Sequence, residues 1–226
     1  MDRNSRPVKD RRRYDSAGRR AQAERTRTAV LEAAERLLLA NGYAGTTIAS
    51  IATAAGVSAE TIYKVFGGKP GLVAGIREVR LAGAGPGHAE ARSDLTRNVE
   101  SDPHRLVARW GQLTAEVSPL VSPILLLVRD AAAAHPEMAT LHARLDADRR
   151  RRMKVNASHL RDAGHLRAGV TLRDAVDVLW TYSSPDLYDL LVVRRGWSAA
   201  RYGRFVGDAI AAALLRHQRT ATPQPR

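Results

Sequence analysis

The 226-residue chain has no cysteine, which excludes disulfides, thiol redox chemistry and cysteine-ligated zinc. Aromatic residues make up 5% of it, and no segment alternates polar and apolar residues as a half-buried strand does. Acid is scarce, with 23 Asp and Glu against 36 Lys and Arg. Long apolar runs are missing too. The greasiest piece, Ile124 to Val128, stops at Arg129 and Asp130, so no membrane span is expected. The first twenty residues are charged and hold no apolar stretch, which argues against a signal peptide. Neither His135 and His142 nor His159 and His165 stand at the i,i+4 spacing that puts two metal ligands on one helical face. No G-x-S-x-G, P-loop or dinucleotide fingerprint occurs. No catalytic residue, metal or cofactor is therefore assigned.

What is present favours helices. Hydrophobic residues make up 44% of the chain, dominated by alanine and leucine. The length suits one large or two modest domains. The net charge of +13 asks for a polyanionic partner. Nucleic acid is the first reading and an anionic membrane surface its electrostatic competitor.

The segment Thr46 to Lys69, TTIASIATAAGVSAETIYKVFGGK, decides between them. A short apolar-patterned helix from Thr47 to about Ala54 runs into a turn at Gly56, a residue free to take a left-handed backbone. Ser58 caps a second helix, and Glu60 suits its positive end. On a helical wheel Ile62, Val65 and Phe66 share an apolar face. Glu60 and Lys64 lie opposite, flanked by Thr61 and Tyr63. That is the layout of a helix-turn-helix with an outward recognition face for the major groove. Lys69 follows Gly67-Gly68 at the start of the next helix, where an ammonium beside unpaired N–H groups suits a phosphate. The preceding helix repeats Val30, Ala33, Ala34, Leu37 and Leu38 at helical spacing and stops at Asn41-Gly42.

The pattern T-T-x-x-x-I-A-x-x-A-G-V-S-x-x-T-x-Y-x-x-F-x-x-K-x-x-L, ending at Leu72, resembles the TetR/AcrR family of bacterial transcriptional regulators across residues 21 to 82. The resemblance implies an all-α homodimer, and the absence of cysteine fits a cytoplasmic protein. Each subunit would carry a three-helix DNA-binding head and a larger helical ligand-binding and dimerising body. It implies a regulator of transcription, usually a repressor, that leaves a palindromic operator in double-stranded DNA when a small-molecule effector binds the body. Thr46 and Thr47 would meet phosphate, Ser58, Glu60, Thr61, Tyr63 and Lys64 would lie on or beside the groove, and Lys69 would hold backbone phosphate. Where many relatives have His before the Phe, this chain has Val65. Two alternatives stand beside this: a constitutive DNA-binding regulator with a filled body, and an enzyme or small-molecule carrier with a relic head.

The remaining organisation is expected as follows. Residues 1–20, with the run Arg11-Arg12-Arg13, form a disordered basic arm, either a solvated tail or an arm that follows DNA. Residues 21–82 form the head. Residues 83–220 form the body, beginning with a loop over 83–102 that holds one weak helical turn, and residues 221–226 are a disordered tail. Body helices are expected over 103–117, 119–134, 136–163, 172–195 with a kink at Pro185, and 198–217. Within the third of these, Asp146–Arg150 and Asp148–Arg152 are spaced as i,i+4 ion pairs on a solvated face. Trp110, Arg129, Trp180 and Tyr182 are the candidates for a ligand pocket, against plain core packing for each ring and internal pairing for Arg129. The stripe Val206, Ala209, Ile210, Ala213, Leu214 is either a dimer surface or part of the chain's own core.

Overall fold

The computed structural model describes residues 9–83 and 87–216, with side chains from 18 onward. Residues 1–8 of the expected arm and the tail 221–226 lie outside the described residues. Every element among those described is helical, apart from an isolated antiparallel bridge between Leu166 and Leu215. The chain divides into two compact units between Ile76 and Arg77.

The first unit holds α1 (Lys9–Gly45), α2 (Ile48–Ala55), α3 (Ala59–Phe66) and the start of α4 (Lys69–Ala82). Where a disordered arm was expected through residue 20, the backbone is helical from Lys9. Gly42 leaves the helix at φ 71°, at the stop read from Asn41-Gly42. The i, i+3, i+4 pattern of α1 becomes the wall of a small core. Val30, Ala34, Leu38, Ile51, Ile62, Leu72, Val73 and Ile76 are all at most 1% exposed. Each large apolar side chain so buried contributes about 1.5–3 kcal/mol. The turns are locally specified. Thr47 and Ser50 close a capping box on α2, Gly56 ends α2 at φ 66°, and Ser58 accepts a hydrogen bond from the Thr61 amide to open α3.

The second unit carries α5 (Ala89–Val99), α6 (Pro103–Ala132), α7 (Pro136–Asp162), α8 (Leu172–Tyr182), the single turn α9 (Pro185–Tyr188), a π-helical turn over Asp189–Val193, and α10 (Ala199–Leu214). Two expectations fail here. The segment read as a loop contains α5, eleven residues long. Its sequence is too polar to show an apolar face, and it is held by ion pairs to other helices, Arg92 to Glu116 and Asp94 to Arg152, and by a hydrogen bond from Arg97 to the Asn156 amide oxygen. The two helices expected over 103–117 and 119–134 are one helix, α6, with Pro119 and Pro123 inside it. Val117, Val121, Ile124 and Val128 recur at helical spacing across those prolines and are all buried, which offsets the roughly 3 kcal/mol an interior proline costs. Once continuous, α6 is long and apolar enough by length and composition to cross a membrane, contrary to the expectation drawn from the shorter run. About a third of that apolar stretch is buried, and α6 packs against α10, α7, α5 and α9.

The crossing of α6 and α10 is a backbone contact. A Cβ added to Gly111 would lie 2.4 Å from the Gly203 carbonyl oxygen, and one added to Gly203 would lie 2.4 Å from that of Gly111. This crossing explains the fate of the last stripe. Val206, Ile210 and Leu214 are buried in one cluster with Leu106, Val107 and Trp110, so they belong to the chain's own core. The break at Pro185 is present. Ser183 donates to the Trp180 carbonyl, and Ser184 caps α9 by accepting from the Asp186 amide.

Candidate nucleic-acid interface and body cavity

The second helix of the helix-turn-helix presents the face read from its sequence, with one exception. Ile62 is fully buried and Phe66 partly so, with the Arg27 guanidinium 5.1 Å from the Phe66 ring centre. Glu60 and Lys64 are exposed, and Tyr63 is 57% exposed. Thr61 is half-buried, its hydroxyl 2.9 Å from that of Ser58. The exception is Val65, which is 50% exposed and lies outside the core in which the wheel placed it. The polar outer stripe of α3 is thus available to a duplex, while Ile62 anchors its underside.

Two residues assigned to phosphate do something else. Thr46 is 1% exposed, and its hydroxyl donates to the Leu37 and Gly42 carbonyls at 3.1 and 2.8 Å. It closes the end of α1 rather than meeting solvent; Thr47 beside it is exposed but serves as the α2 cap. The Lys69 ammonium donates to the Tyr43 and Thr46 carbonyls at 2.7 and 3.0 Å and lies 4.0 Å from the Tyr43 ring centre. It ties the start of α4 to the α1–α2 connection, satisfying carbonyls that a helix end leaves open. Replacement by methionine keeps the stem and removes these bonds. Lys69→Met is therefore expected to destabilise the head by about 2–3 kcal/mol, read as a lower thermal midpoint in circular dichroism. An unchanged midpoint would return Lys69 to a purely phosphate-facing role.

The second unit holds a half-open cavity of about 550 Å³ among α5, α6, α7, α8, α9 and α10, with Arg77 and Leu81 of α4 also on its lining. Trp110, Trp180 and Tyr182 line it, as their candidacy required. Arg129 does not: its guanidinium is bound to Asp130 and Asp186 at 2.8 and 2.5 Å, beside the cavity wall rather than on it. The Asp186 contact is the main cause that raises the Arg129 pKa, so this group stays charged and internally paired.

The basic cluster on α7 also differs from its expected form. Asp146 pairs with Arg149 and Asp148 with Arg151, at i,i+3. Arg150 reaches Asp177 on α8, and Arg152 reaches Asp94 on α5, both at 2.6 Å. Arg152 is the first cause holding the Asp94 carboxyl below the usual range. Arg149 and Arg152 line the cavity, so half of this run faces inward. Arg149 also stacks 4.9 Å from Trp180, whose indole Nε1 donates to Asp146 at 3.1 Å. Ser93 and Asn156, both buried, complete the polar end of the lining and were missed from sequence. Ser93 sits on the unforeseen α5, where Ala89 and Ser93 at i,i+4 were the only visible sign of a buried face.

The comparisons bear on both units. The family model described as bacterial regulatory proteins, tetR family, matches residues 30–76. No curated protein matches the chain. Among solved structures, the complex of SmeT with triclosan is 22% identical, with a TM-score of 0.66 and coverage of 89% of this chain and 98% of that one. NalD, the secondary repressor of the MexAB-OprM multidrug efflux pump in Pseudomonas aeruginosa, is 23% identical, with a TM-score of 0.67 and coverage of 86% and 99%. A transcriptional regulator from Saccharomonospora viridis in complex with choline is 20% identical, with a TM-score of 0.60 and coverage of 84% and 98%. At these identities the structural likeness establishes the shared fold, head and helical body together. The helix-turn-helix spacing, the outward stripe of α3 and the matching family model agree on the head: residues 30–76 match the tetR family of bacterial regulatory proteins, and the chain shares the fold of these solved regulators.

Proposed function

We propose that this DNA-binding regulator is a cytoplasmic homodimeric repressor that reads a palindromic operator with α3 and is released from it by a small molecule in the body cavity. The observation that carries the DNA reading is the exposure of Glu60, Tyr63 and Lys64 above a fully buried Ile62. Thr47, Ser58 and Thr61 at the helix starts are the accompanying contacts. Phosphate contacts supply most of the affinity and its salt dependence, and base contacts supply discrimination. Two copies must set their recognition helices about 34–36 Å apart, or a multiple of that, to meet one side of a duplex. Leu190, Val193 and Phe205 stay exposed on the last helices and suit a partner subunit.

The cavity favours an effector over a constitutive regulator, whose body would be filled. The structures with triclosan and choline, and NalD as a repressor, support the same reading by analogy. The helix α4 starts with Lys69 in the first unit and ends with Arg77 and Leu81 on the cavity lining in the second, a continuous backbone through which a bound ligand can bias the head. The ligand lowers operator affinity only by its own preference between the two states.

The test is selection of bound fragments from the source genome by the purified full-length chain, followed by gel shifts across salt and competitor DNA. A palindrome with half-sites one or two helical turns apart is expected. Equal binding to all sequences at every salt concentration would remove the proposal.

A further inference from the structure

The last turn of α3 stands free on both flanks. Tyr63, Lys64 and Val65 are three consecutive exposed residues, Tyr63 at 57% and Val65 at 50%. At about 100° per residue they span one whole side of the helix, with Lys64 at its centre and Tyr63 and Val65 on opposite flanks. Ile62, on the other side, holds the turn to the head. A helix with its side chains is about 10–12 Å across, and the major groove of duplex DNA is about 12 Å wide. A helix seated in that groove therefore meets DNA along its flanks as well as at its centre line.

The flank that carries Val65 is poor in hydrogen-bonding groups. Thr61, one turn earlier on the same side, has its hydroxyl 2.9 Å from that of Ser58, the cap of α3. Valine itself offers neither donor nor acceptor. Set against a phosphate oxygen it would strip water away and return no hydrogen bond, which is unfavourable. Base edges in the major groove present one apolar group, the C5 methyl of thymine. An isopropyl group packed on that methyl takes apolar surface of both partners out of water.

We propose that Val65 is a specificity-determining contact with the operator and that its ligand is the C5 methyl of a pyrimidine, a thymine in each half-site. This rests on α3 as the helix that reads the operator and adds a base-edge group that the polar stripe does not read. The contact depends on the methyl alone. 5-Methylcytosine carries the same group in the same place; cytosine and uracil lack it.

The test uses the full-length chain and synthetic duplexes of the selected operator in which each thymine is replaced in turn by deoxyuridine, at matching positions of both half-sites. Deoxyuridine keeps every donor and acceptor and removes only the methyl. Binding isotherms of the wild type should show a position where the replacement weakens binding by about fourfold per half-site, or roughly fifteenfold for the pair, the loss of about one buried methyl at each. Val65→Ala should bind the thymine duplex about as weakly as wild type binds the deoxyuridine one, and should no longer distinguish the two. A role in folding alone would weaken both duplexes equally, so the pairing of variant and base isolates the contact. At the same position, 5-methylcytosine in place of cytosine should strengthen wild-type binding by the same factor and leave Val65→Ala unchanged. An operator in which no thymine methyl affects wild-type binding, a methyl effect of equal size in Val65→Ala, or equal weakening of both duplexes by the substitution would overturn the inference while leaving α3 as the reading helix. Wild-type affinity in a variant carrying both Tyr63→Ala and Lys64→Ala would remove α3 from that role, and the inference with it.

Discussion

Gly71→Ala is expected to unfold the head while the body keeps its structure. A Cβ at residue 71 would lie 1.7 Å from the Phe66 carbonyl oxygen, the last residue of α3. The obstructing atom is backbone, so no rotamer change relieves the contact. The connection through Gly67 and Gly68 has to shift, and with it the angle between the recognition helix and α4. Overpacking of a well-ordered core costs about 1–3 kcal/mol when side chains absorb it, and a backbone clash this deep lies at or above the top of that range. A three-helix unit of this size has little stability to lose. Hydrogen exchange should show loss of protection across α2, α3 and the start of α4, with the amides of α6 and α10 unchanged. Wild-type protection in α3 of the alanine variant would mean that the helices pack more loosely at this corner than described.

The second large effect lies on DNA binding alone. Tyr63→Ala combined with Lys64→Ala should lower operator affinity by roughly 2–4 kcal/mol, or about 30- to 1000-fold, if each side chain makes one good contact. Both project from the exposed stripe of α3, and neither belongs to the buried core. The thermal midpoint should therefore stay within the small range of surface substitutions. Loss of Lys64 should also flatten the dependence of affinity on salt by about one unit of slope if it neutralises a phosphate. Binding isotherms at several salt concentrations measure both quantities. A double variant that binds the selected operator like wild type would move the reading surface away from α3.

The contrast between Tyr63 and Lys69 shows why one motif was read well and badly at once. The capping of α2 and α3, the left-handed Gly56 and the outward stripe depend on neighbours three or four residues away, and all are legible in the chain. Lys69 sits in the same motif, but its partners lie 26 and 23 residues back, at Tyr43 and Thr46. Thr46 differs in that its partners, the Leu37 and Gly42 carbonyls, lie only nine and four residues back, at the end of α1. Val65 shows the limit of a helical wheel, which gives the angle of a side chain but not how far the neighbouring helices extend to cover it.

In the body, Trp110, Trp180 and Tyr182 stood out by size, and all three lie on the lining of the cavity. Of the two readings of Arg129, internal pairing is the one seen, but its partner Asp186 is 57 positions distant, across the break at Pro185, and could not be named from the sequence. The helix α5 was invisible for a related reason: its ordering comes from ion pairs with α6 and α7, and its own apolar pattern is too weak to announce it.

Local chemistry was enough to establish an all-helical chain, the helix-turn-helix and the side of it that faces outward, because caps, turns and periodicity are written within a few consecutive residues. The cavity, the pairing of Arg149 and Arg152 on its lining and the burial of the last stripe came from the packing of helices against one another. Folding decided them because burial and hydrogen-bond satisfaction belong to the space between elements, where Arg152 meets Asp94 across 58 positions.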